Sequence, residues 1–195
     1  MMATNYIGAF CLTSILLPLL EASPVASRVV NVSSFTHRSV SSMIVDRGAV
    51  ISGNHAFTSE CYPCAEIYEY TKLCILLFTY ELHRQFGLSE TSRAISVVAV
   101  DPGAVKTNIM REIPSLVSRI AFFGLNLLGL LHHPEQGVRP IVDAALASPE
   151  VSGVYFFGGN GRTINSSALS YDPKLSKDLW ATSNEIFREL QLAHR

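Results

Sequence analysis

The hydrophobic residues of this chain fall into short runs of strand length and longer runs of helix length, and the two kinds alternate. The short runs are rich in β-branched residues, as the buried strands of a parallel sheet are. They lie at Arg28–Val32, Ala94–Val100 and Gly153–Phe157. Strands that alternate with helices predict an α/β sandwich on a parallel sheet, formed as a single domain over residues 1–195.

The longer runs predict four helices, at residues 4–20, Ala65–Phe86, Pro134–Ala147 and Lys174–Leu192. The first is apolar nearly all round, which predicts that it is buried. Gly87 favours the end of the second helix, and Pro134 suits the first turn of the third. One face of the last helix is apolar, and its residues are Leu175, Leu179, Ile186 and Leu190.

Two segments show no clear periodicity. Ser33–Pro63 is rich in Ser, Gly, Asn and His and is expected to be a long loop, which is unusual in a compact domain unless it is functional. Residues 106–131 are expected to form a loop and a weak helix, ending in the apolar run Ile120–Leu131. That run suits a lid over a lipophilic substrate or a membrane contact as well as it suits core.

Composition limits the classes of partner. Hydrophobic residues make up 48% of the chain and charged residues only 16%, so apolar surface is expected to remain for a partner, a membrane or a lipophilic ligand. A net charge of −1 gives no basic surface for nucleic acid. No Lys or Arg precedes Arg28, so the apolar N-terminal run lacks the positive region of a signal peptide. We expect a cytoplasmic location or the cytosolic face of an organelle membrane.

The cysteine and histidine pattern does not predict a metal site. Cys11 and Cys74 lie in apolar helical runs and are expected to be core residues. Cys61 and Cys64 have the spacing of a thiol redox motif, but no strand directly precedes them. The histidines are isolated or adjacent, which is not a metal-ligand spacing.

Tyr68 and Lys72 form the first candidate for chemistry. Four residues apart on a predicted helix, they share one face. A nearby cation stabilises a phenolate, so this pair can provide a proton donor to a carbonyl oxygen. Taken alone, the spacing is more often that of a solvated helix face.

Three further candidates lie near the expected carboxyl ends of strands or on the first helix. Ser33-Ser34 follows the first strand, where ligands of parallel sheets bind, although turn serines are common there. The turn Asp101–Thr107 follows the second strand and places the Thr107 hydroxyl beside the same crevice. Asn5 is an amide in an apolar helix and needs a partner, structural or catalytic.

Taken together, these motifs resemble the short-chain dehydrogenase/reductase family, in its retinol-dehydrogenase-like subgroup. The likeness runs in order over nearly the whole chain. Its segments are Thr4-Asn5-Tyr6-Ile7-Gly8-Ala9-Phe10, Arg28-Val29-Val30-Asn31-Val32-Ser33-Ser34, Tyr68-Glu69-Tyr70-Thr71-Lys72 and Asp101-Pro102-Gly103-Ala104-Val105-x-Thr107. The resemblance implies the C-terminal part of a Rossmann-type, doubly wound parallel sheet.

The resemblance also implies roles for the residues that match. Tyr68 is then the general acid/base, and Lys72 lowers its pKa and binds the nicotinamide ribose. Ser34 orients the substrate oxygen, and Asn5 holds a water in a proton relay. Residues expected at the cofactor are Tyr68, Lys72, Pro102, Gly103, Val105 and Thr107.

The implied activity is NADP- or NAD-dependent interconversion of a hydroxyl and a carbonyl on a lipophilic substrate, of retinoid, steroid or polyprenoid type. The N-terminal strands and glycine-rich turn that bind the pyrophosphate in this family are not found in this sequence. We therefore expect dinucleotide binding to be weakened and enzymatic activity to be impaired. The alternative is a catalytically inactive isoform or a partner that dimerises with itself or with a full-length relative.

Overall fold

The computed structural model describes residues 1–53, 63–88, 95–105, 127 and 131–193. Its strands are β1 (Ser27–Val32), β2 (Ile95–Asp101), β3 (Ala104–Val105), β4 (Leu131–His132), β5 (Tyr155–Phe157) and β6 (Thr163–Ile164). The main sheet has the order β1-β2-β5-β6, in which β1, β2 and β5 are parallel and β6 is antiparallel to β5. Strands β3 and β4 form a separate parallel pair. The predicted α/β sandwich on a mainly parallel sheet is confirmed.

Helices cover both faces of the sheet. They are α1 (Gly8–Glu21), α2 (Arg47–Ser52), α3 (Pro63–Leu88), α4 (Pro134–Leu146) and α5 (Pro173–Ala193). Helix α3 packs on one face, with α5 against its outer side, and α4 packs on the opposite face. The α3 face carries the larger core, which includes Leu73, Leu77 and Phe78.

Alternation along the two central strands divides the core between these faces. In β2, Val97 belongs to the core under α3, whereas Val98 and Val100 belong to the core under α4. Val29 and Val30 of β1 divide in the same way, because successive side chains of a strand point to opposite faces. All seven residues of β2 are buried, including the polar Ser96 and Asp101 in an otherwise apolar run.

Arg28 joins β1 to its neighbours. Its guanidinium donates to the Ser96 hydroxyl of β2 at 2.7 Å and to backbone carbonyls just beyond and at the end of α4. Those carbonyls have no partner within the helix, so the side chain caps α4. One residue thereby fixes the helix end against the first two strands.

The first helix differs from the prediction. It begins with a π-helical turn, Ala3–Ile7, and continues as α1. Tyr6 and Phe10 are buried, but Leu12, Ile15 and Leu19 are 58–69% exposed, so the predicted burial all round is wrong. These three lie on one face because they are three, four and seven residues apart. By length and composition, Ala3–Glu21 is long and apolar enough to cross a membrane, with 22% of that stretch buried.

Local signals misplaced several boundaries. The expected loop Ser33–Pro63 contains a 3-10 helix at Phe35–Ser39 and the short helix α2. Asp46 caps α2 by accepting the Ala49 N–H, and Gly53 ends it with a φ of +75°. Helix α3 continues through Gly87 to Leu88, and Leu190 of α5 is 43% exposed rather than in the core.

Strand β1 lies at an edge of the sheet. Within the described residues it pairs only with β2, in the register Ser27 to Ile95 through Val32 to Val100. No strand of the described part of the chain pairs with its other edge.

Candidate active site

The two adjacent serines at the carboxyl end of β1 have different surroundings. Ser33 is buried, and its hydroxyl donates to the backbone carbonyl of Lys72 at 2.9 Å. Ser34 is half-buried and caps the 3-10 helix by accepting hydrogen bonds from Thr36, at 3.4 Å from the backbone nitrogen and 3.2 Å from the hydroxyl. Because a serine hydroxyl also has one proton to donate, Ser34 remains able to donate elsewhere.

Tyr68 lies where the Ser34 hydroxyl can donate that proton in a hydrogen bond. The Ser34 hydroxyl is within hydrogen-bonding reach of the Tyr68 phenol and lowers the pKa of the phenol, as a donor to the phenolate does. Both side chains are only half-buried, so a substrate oxygen can approach them. The structure brings together the serine and the tyrosine that the sequence singled out, although 34 positions separate them.

Lys72 completes the cluster from the next turn of α3. Its ammonium lies 5.4 Å from the centre of the Tyr68 ring and donates to the Val32 carbonyl at 3.0 Å. Burial lowers the pKa of Lys72, and the Asp101 carboxylate acts in the opposite direction. The lysine is therefore tied to the end of β1 by its side chain, while its carbonyl is tied there by Ser33.

The pKa of Tyr68 is raised, not lowered. Burial of the phenol is the largest cause, and the Asp101 carboxylate adds to it, while Ser34 acts in the opposite direction. The causes of this shift do not include Lys72, whose ammonium lies over the ring and donates to the Val32 carbonyl. Its expected lowering of the Tyr68 pKa stays a prediction.

Asp101 is a buried carboxylate at the end of β2 that organises the following turn. One oxygen accepts the Gly103 N–H at 2.7 Å, and the other accepts the Tyr155 hydroxyl at 3.0 Å. Gly103 has a φ of +78°, a conformation that glycine adopts without strain. The sequence identified this turn but not the carboxylate as the group that affects both Tyr68 and Lys72.

The residues expected at the cofactor continue from this turn. Pro102, Gly103 and Val105 are half-buried, and Ala104–Val105 pairs with Leu131–His132. Gly137 in the first turns of α4 packs so closely that a Cβ there would lie 2.4 Å from a Val105 methyl. Thr107 lies outside the described residues.

Asn5 lies in the π-helical turn, a conformation often found at functional sites. Its side-chain amide donates to the Thr71 hydroxyl at 3.3 Å, and Thr71 donates to the Tyr68 carbonyl at 2.6 Å. Asn5 thus contacts the active-site helix one residue before Lys72. Its predicted role in a water relay stays a prediction.

The other sequence candidates gain no support. No cluster of three or more metal-ligating side chains occurs among the described residues. Cys64 is exposed, Cys74 is buried as expected for core, and Cys61 lies outside the described residues. Most of the apolar run Ile120–Leu131 also lies outside them, so its alternatives stay open.

Sequence reasoning missed two positions that shape the site. Gly137 has no motif, and only its contact with Val105 shows its importance. His37 was considered only as a metal ligand, yet it is fully buried three residues after Ser34. That spacing, one turn of a 3-10 helix, was the available signal.

Known proteins match this chain over most of its length. A polyprenol dehydrogenase of Danio rerio is 34% identical over an alignment of 186 positions, which covers 92% of this chain and 52% of that protein. Retinol dehydrogenase 13 of Mus musculus is 30% identical over an alignment of 198 positions, which covers 97% of this chain and 53% of that protein. The chain is similar in sequence to members of the short-chain dehydrogenase/reductase family. It is similar to the retinol-dehydrogenase-like members, and it spans about half the length of the curated relatives it matches.

No protein-family model matches the sequence. Among solved structures, an uncharacterised protein of Mycobacterium paratuberculosis matches 96% of this chain and 58% of its own, with a TM-score of 0.63 and 25% identity. An NADPH-bound carbonyl reductase from chicken fatty liver matches 84% of this chain and 54% of its own, with a TM-score of 0.54. At 17% identity, this second likeness shows the fold alone. The fold is the corresponding part of a Rossmann-type sandwich.

Proposed function

We propose that this chain carries the proton-transfer site of an oxidoreductase that interconverts a hydroxyl and a carbonyl on a lipophilic substrate. The observation that carries the proposal is the convergence of the Ser34 and Tyr68 hydroxyls and the Lys72 ammonium at the carboxyl end of β1. Ligands of parallel α/β sheets bind at this edge. Proteins of similar sequence are polyprenol and retinol dehydrogenases.

The chemistry proposed for the chain's own residues is the movement of one proton. During reduction, Ser34 donates to the substrate oxygen and orients it, and the Tyr68 hydroxyl delivers a proton to that oxygen. A phenol with a raised pKa stays protonated at neutral pH, so Tyr68 is ready to act as the acid. In the oxidative direction, the same residues accept the proton that the alcohol loses.

A nicotinamide cofactor, NADP or NAD, supplies the hydride when bound. The donor set fits its nicotinamide-ribose end, because Lys72 is half-buried beside Tyr68 and offers an ammonium to ribose hydroxyls. The turn at Pro102, Gly103 and Val105 lies after the adjacent strand and provides the neighbouring wall. We propose these residues and Thr107 as the cofactor contacts.

The polyprenol and retinol substrates named for the similar proteins suggest an isoprenoid substrate here. The direct test is to incubate the purified chain with all-trans-retinal or a longer isoprenoid aldehyde and with NADPH or NADH deuterated at the transferable position. The proposal expects mass spectrometry to detect the alcohol carrying one deuterium. Absence of labelled alcohol with both cofactors, from folded protein, contradicts an enzymatic role for the isolated chain.

A second candidate function is that of an interaction partner. The exposed residues Leu12, Ile15 and Leu19 lie on α1, which contacts the edge strand β1. We propose that such a surface is covered by another protein chain, either a second copy or a relative, or contacts the cytosolic side of a membrane. Light scattering of the purified chain, alone, with a full-length relative and with neutral lipid vesicles, separates these occupants. A chain that stays monomeric and binds neither the relative nor the vesicles contradicts all of them.

A further inference from the structure

His37 is clamped between the active-site serine and a distant segment. Its side chain is fully buried, with Nδ1 2.6 Å from the Ser34 carbonyl and Nε2 3.0 Å from the Ser167 backbone nitrogen. A backbone N–H can only donate, so Nε2 accepts and Nδ1 carries the proton that it donates to Ser34. The two partners therefore fix one neutral tautomer.

The ring also contacts the residues that hold the other side of the site. It packs edge-on against Tyr155, with centroids 5.5 Å apart and planes at 88°. The Tyr155 hydroxyl donates to Asp101, which in turn accepts the Gly103 N–H. His37 thus joins the Ser34 turn to the strand end and the turn proposed to face the cofactor.

A second tie runs in parallel with the first. Arg38 donates to the Asn165 carbonyl, so two consecutive residues of the Phe35–Ser39 turn anchor it to the segment after β6. A 3-10 helix of five residues has weak hydrogen bonds of its own. Its orientation therefore depends on such outside anchors, and Ser34 is the residue that caps it.

We propose that His37 is a positioning residue that holds the Ser34 hydroxyl toward Tyr68 by fixing the Ser34 carbonyl. The role rests on the proposed function, because Ser34 matters for turnover only if Tyr68 delivers a proton there. The alternative is that His37 merely fills the core. Core filling requires volume, whereas positioning requires a hydrogen-bond donor at the site of Nδ1, and this difference makes the two separable.

The test uses Tyr68 as a reporter that does not need turnover. In protein labelled with ¹³C at tyrosine Cζ, the Tyr68 resonance is assigned with Tyr68→Phe, and Ser34→Ala gives its position without the serine donor. We expect His37→Phe to move the resonance to the Ser34→Ala position. We expect His37→Asn to keep it near wild type, because the asparagine amide can donate to the Ser34 carbonyl.

His83→Phe is the matched control. His83 is a half-buried histidine whose Nδ1 contacts the Ser152 hydroxyl rather than the serine turn. Its substitution should leave the Tyr68 resonance unchanged. In turnover, His37→Phe should reduce kcat by about 100-fold with little change in KM for the cofactor, and His37→Asn should restore most of it.

The proposal is overturned by a folded His37→Phe protein whose Tyr68 resonance does not move. It is also overturned if His37→Asn shifts that resonance as far as His37→Phe does.

If His37→Phe does not fold, Ser167→Pro removes only one of the two hydrogen bonds of the His37 ring. The φ of Ser167 is −65°, which suits proline, and the substitution deletes the N–H that His37 accepts. It should shift the His37 Nε2 and Tyr68 resonances together, and an unmoved Tyr68 again overturns the role. An inactive wild-type chain with these shifts contradicts the proposed function alone.

Discussion

The Ser33 hydroxyl donates to the backbone carbonyl of Lys72 at 2.9 Å, and the Lys72 ammonium donates to the Val32 carbonyl at 3.0 Å. The end of β1 and the active-site turn of α3 are therefore fastened to each other twice. Ser33 therefore holds the two elements together, whereas the Ser34 hydroxyl lies within reach of the Tyr68 phenol.

Substitution of the two serines should therefore separate stability from turnover. Ser33→Ala removes the buried hydrogen bond to the Lys72 carbonyl and should lower the free energy of unfolding by about 1 kcal/mol. Ser34→Ala should change stability by less than about 1 kcal/mol but reduce kcat by at least about 100-fold. Urea unfolding and steady-state kinetics on both variants check this, and equal kinetic effects would contradict the division.

Tyr68→Phe should abolish turnover while the protein remains folded, because only the acid is removed. General acid catalysis contributes about 100- to 10,000-fold, so residual activity should be lower by at least that factor. Tyr70→Phe is the control, since its hydroxyl donates to the Ile44 carbonyl in the interior. It should lower stability by about 1 kcal/mol and leave kcat within a few-fold. Unchanged activity of Tyr68→Phe would rule out the assignment.

Asp101→Asn should move the alkaline limb of the carbonyl-reduction pH profile to lower pH. The carboxylate raises the pKa of Tyr68 and of Lys72, so its neutralisation lets both lose their protons at lower pH. Reduction needs the protonated phenol, and the rate then falls earlier as pH rises. Asp143→Asn makes the same charge change at a carboxylate that accepts the Gly161 N–H, and its profile should match wild type. A shift to higher pH for Asp101→Asn would contradict the electrostatic account.

Gly137→Ala should disturb the turn after β2. The added methyl group would lie 2.4 Å from a Val105 methyl, so α4 or the turn must move, at a cost of about 1–3 kcal/mol. Gly87→Ala is the matched change in α3, where nothing lies within 4 Å, and it should stabilise by about 0.5–1 kcal/mol. Thermal unfolding of both variants checks this, and the account is wrong if Gly137→Ala is as stable as wild type.

Sequence patterns predicted what local chemistry determines. The sequence predicts the largely apolar strand β2, the start of α4 at Pro134 and the order of strands and helices, because each depends on neighbouring residues. The spacing of Tyr68 and Lys72 could be interpreted because a helix places the two side chains on one face. The resemblance to a known family then added Ser34 and the turn after β2 to the candidate site.

Contacts between residues far apart in the chain could not be predicted from the sequence. The exposure of Leu12 and Leu19 depends on what covers α1, and the clamp on His37 joins residues 130 positions apart. The direction of the Tyr68 pKa shift also depends on burial and on Asp101, which spacing cannot show. Short elements such as α2 depend on individual capping residues, and these are hard to identify in a segment that is rich in Ser and Gly throughout.

The central claim is that this chain places a nicotinamide cofactor beside Tyr68 and Lys72, and calorimetric titration with NADPH and NADH, with circular dichroism on the same sample, tests it most directly. The account predicts a folded protein that binds one of the two cofactors, and a Lys72→Met variant that stays folded and binds at least about tenfold more weakly because the ribose loses its donor. A folded wild-type chain that binds neither cofactor, or a Lys72→Met variant that binds as tightly as wild type, would contradict it.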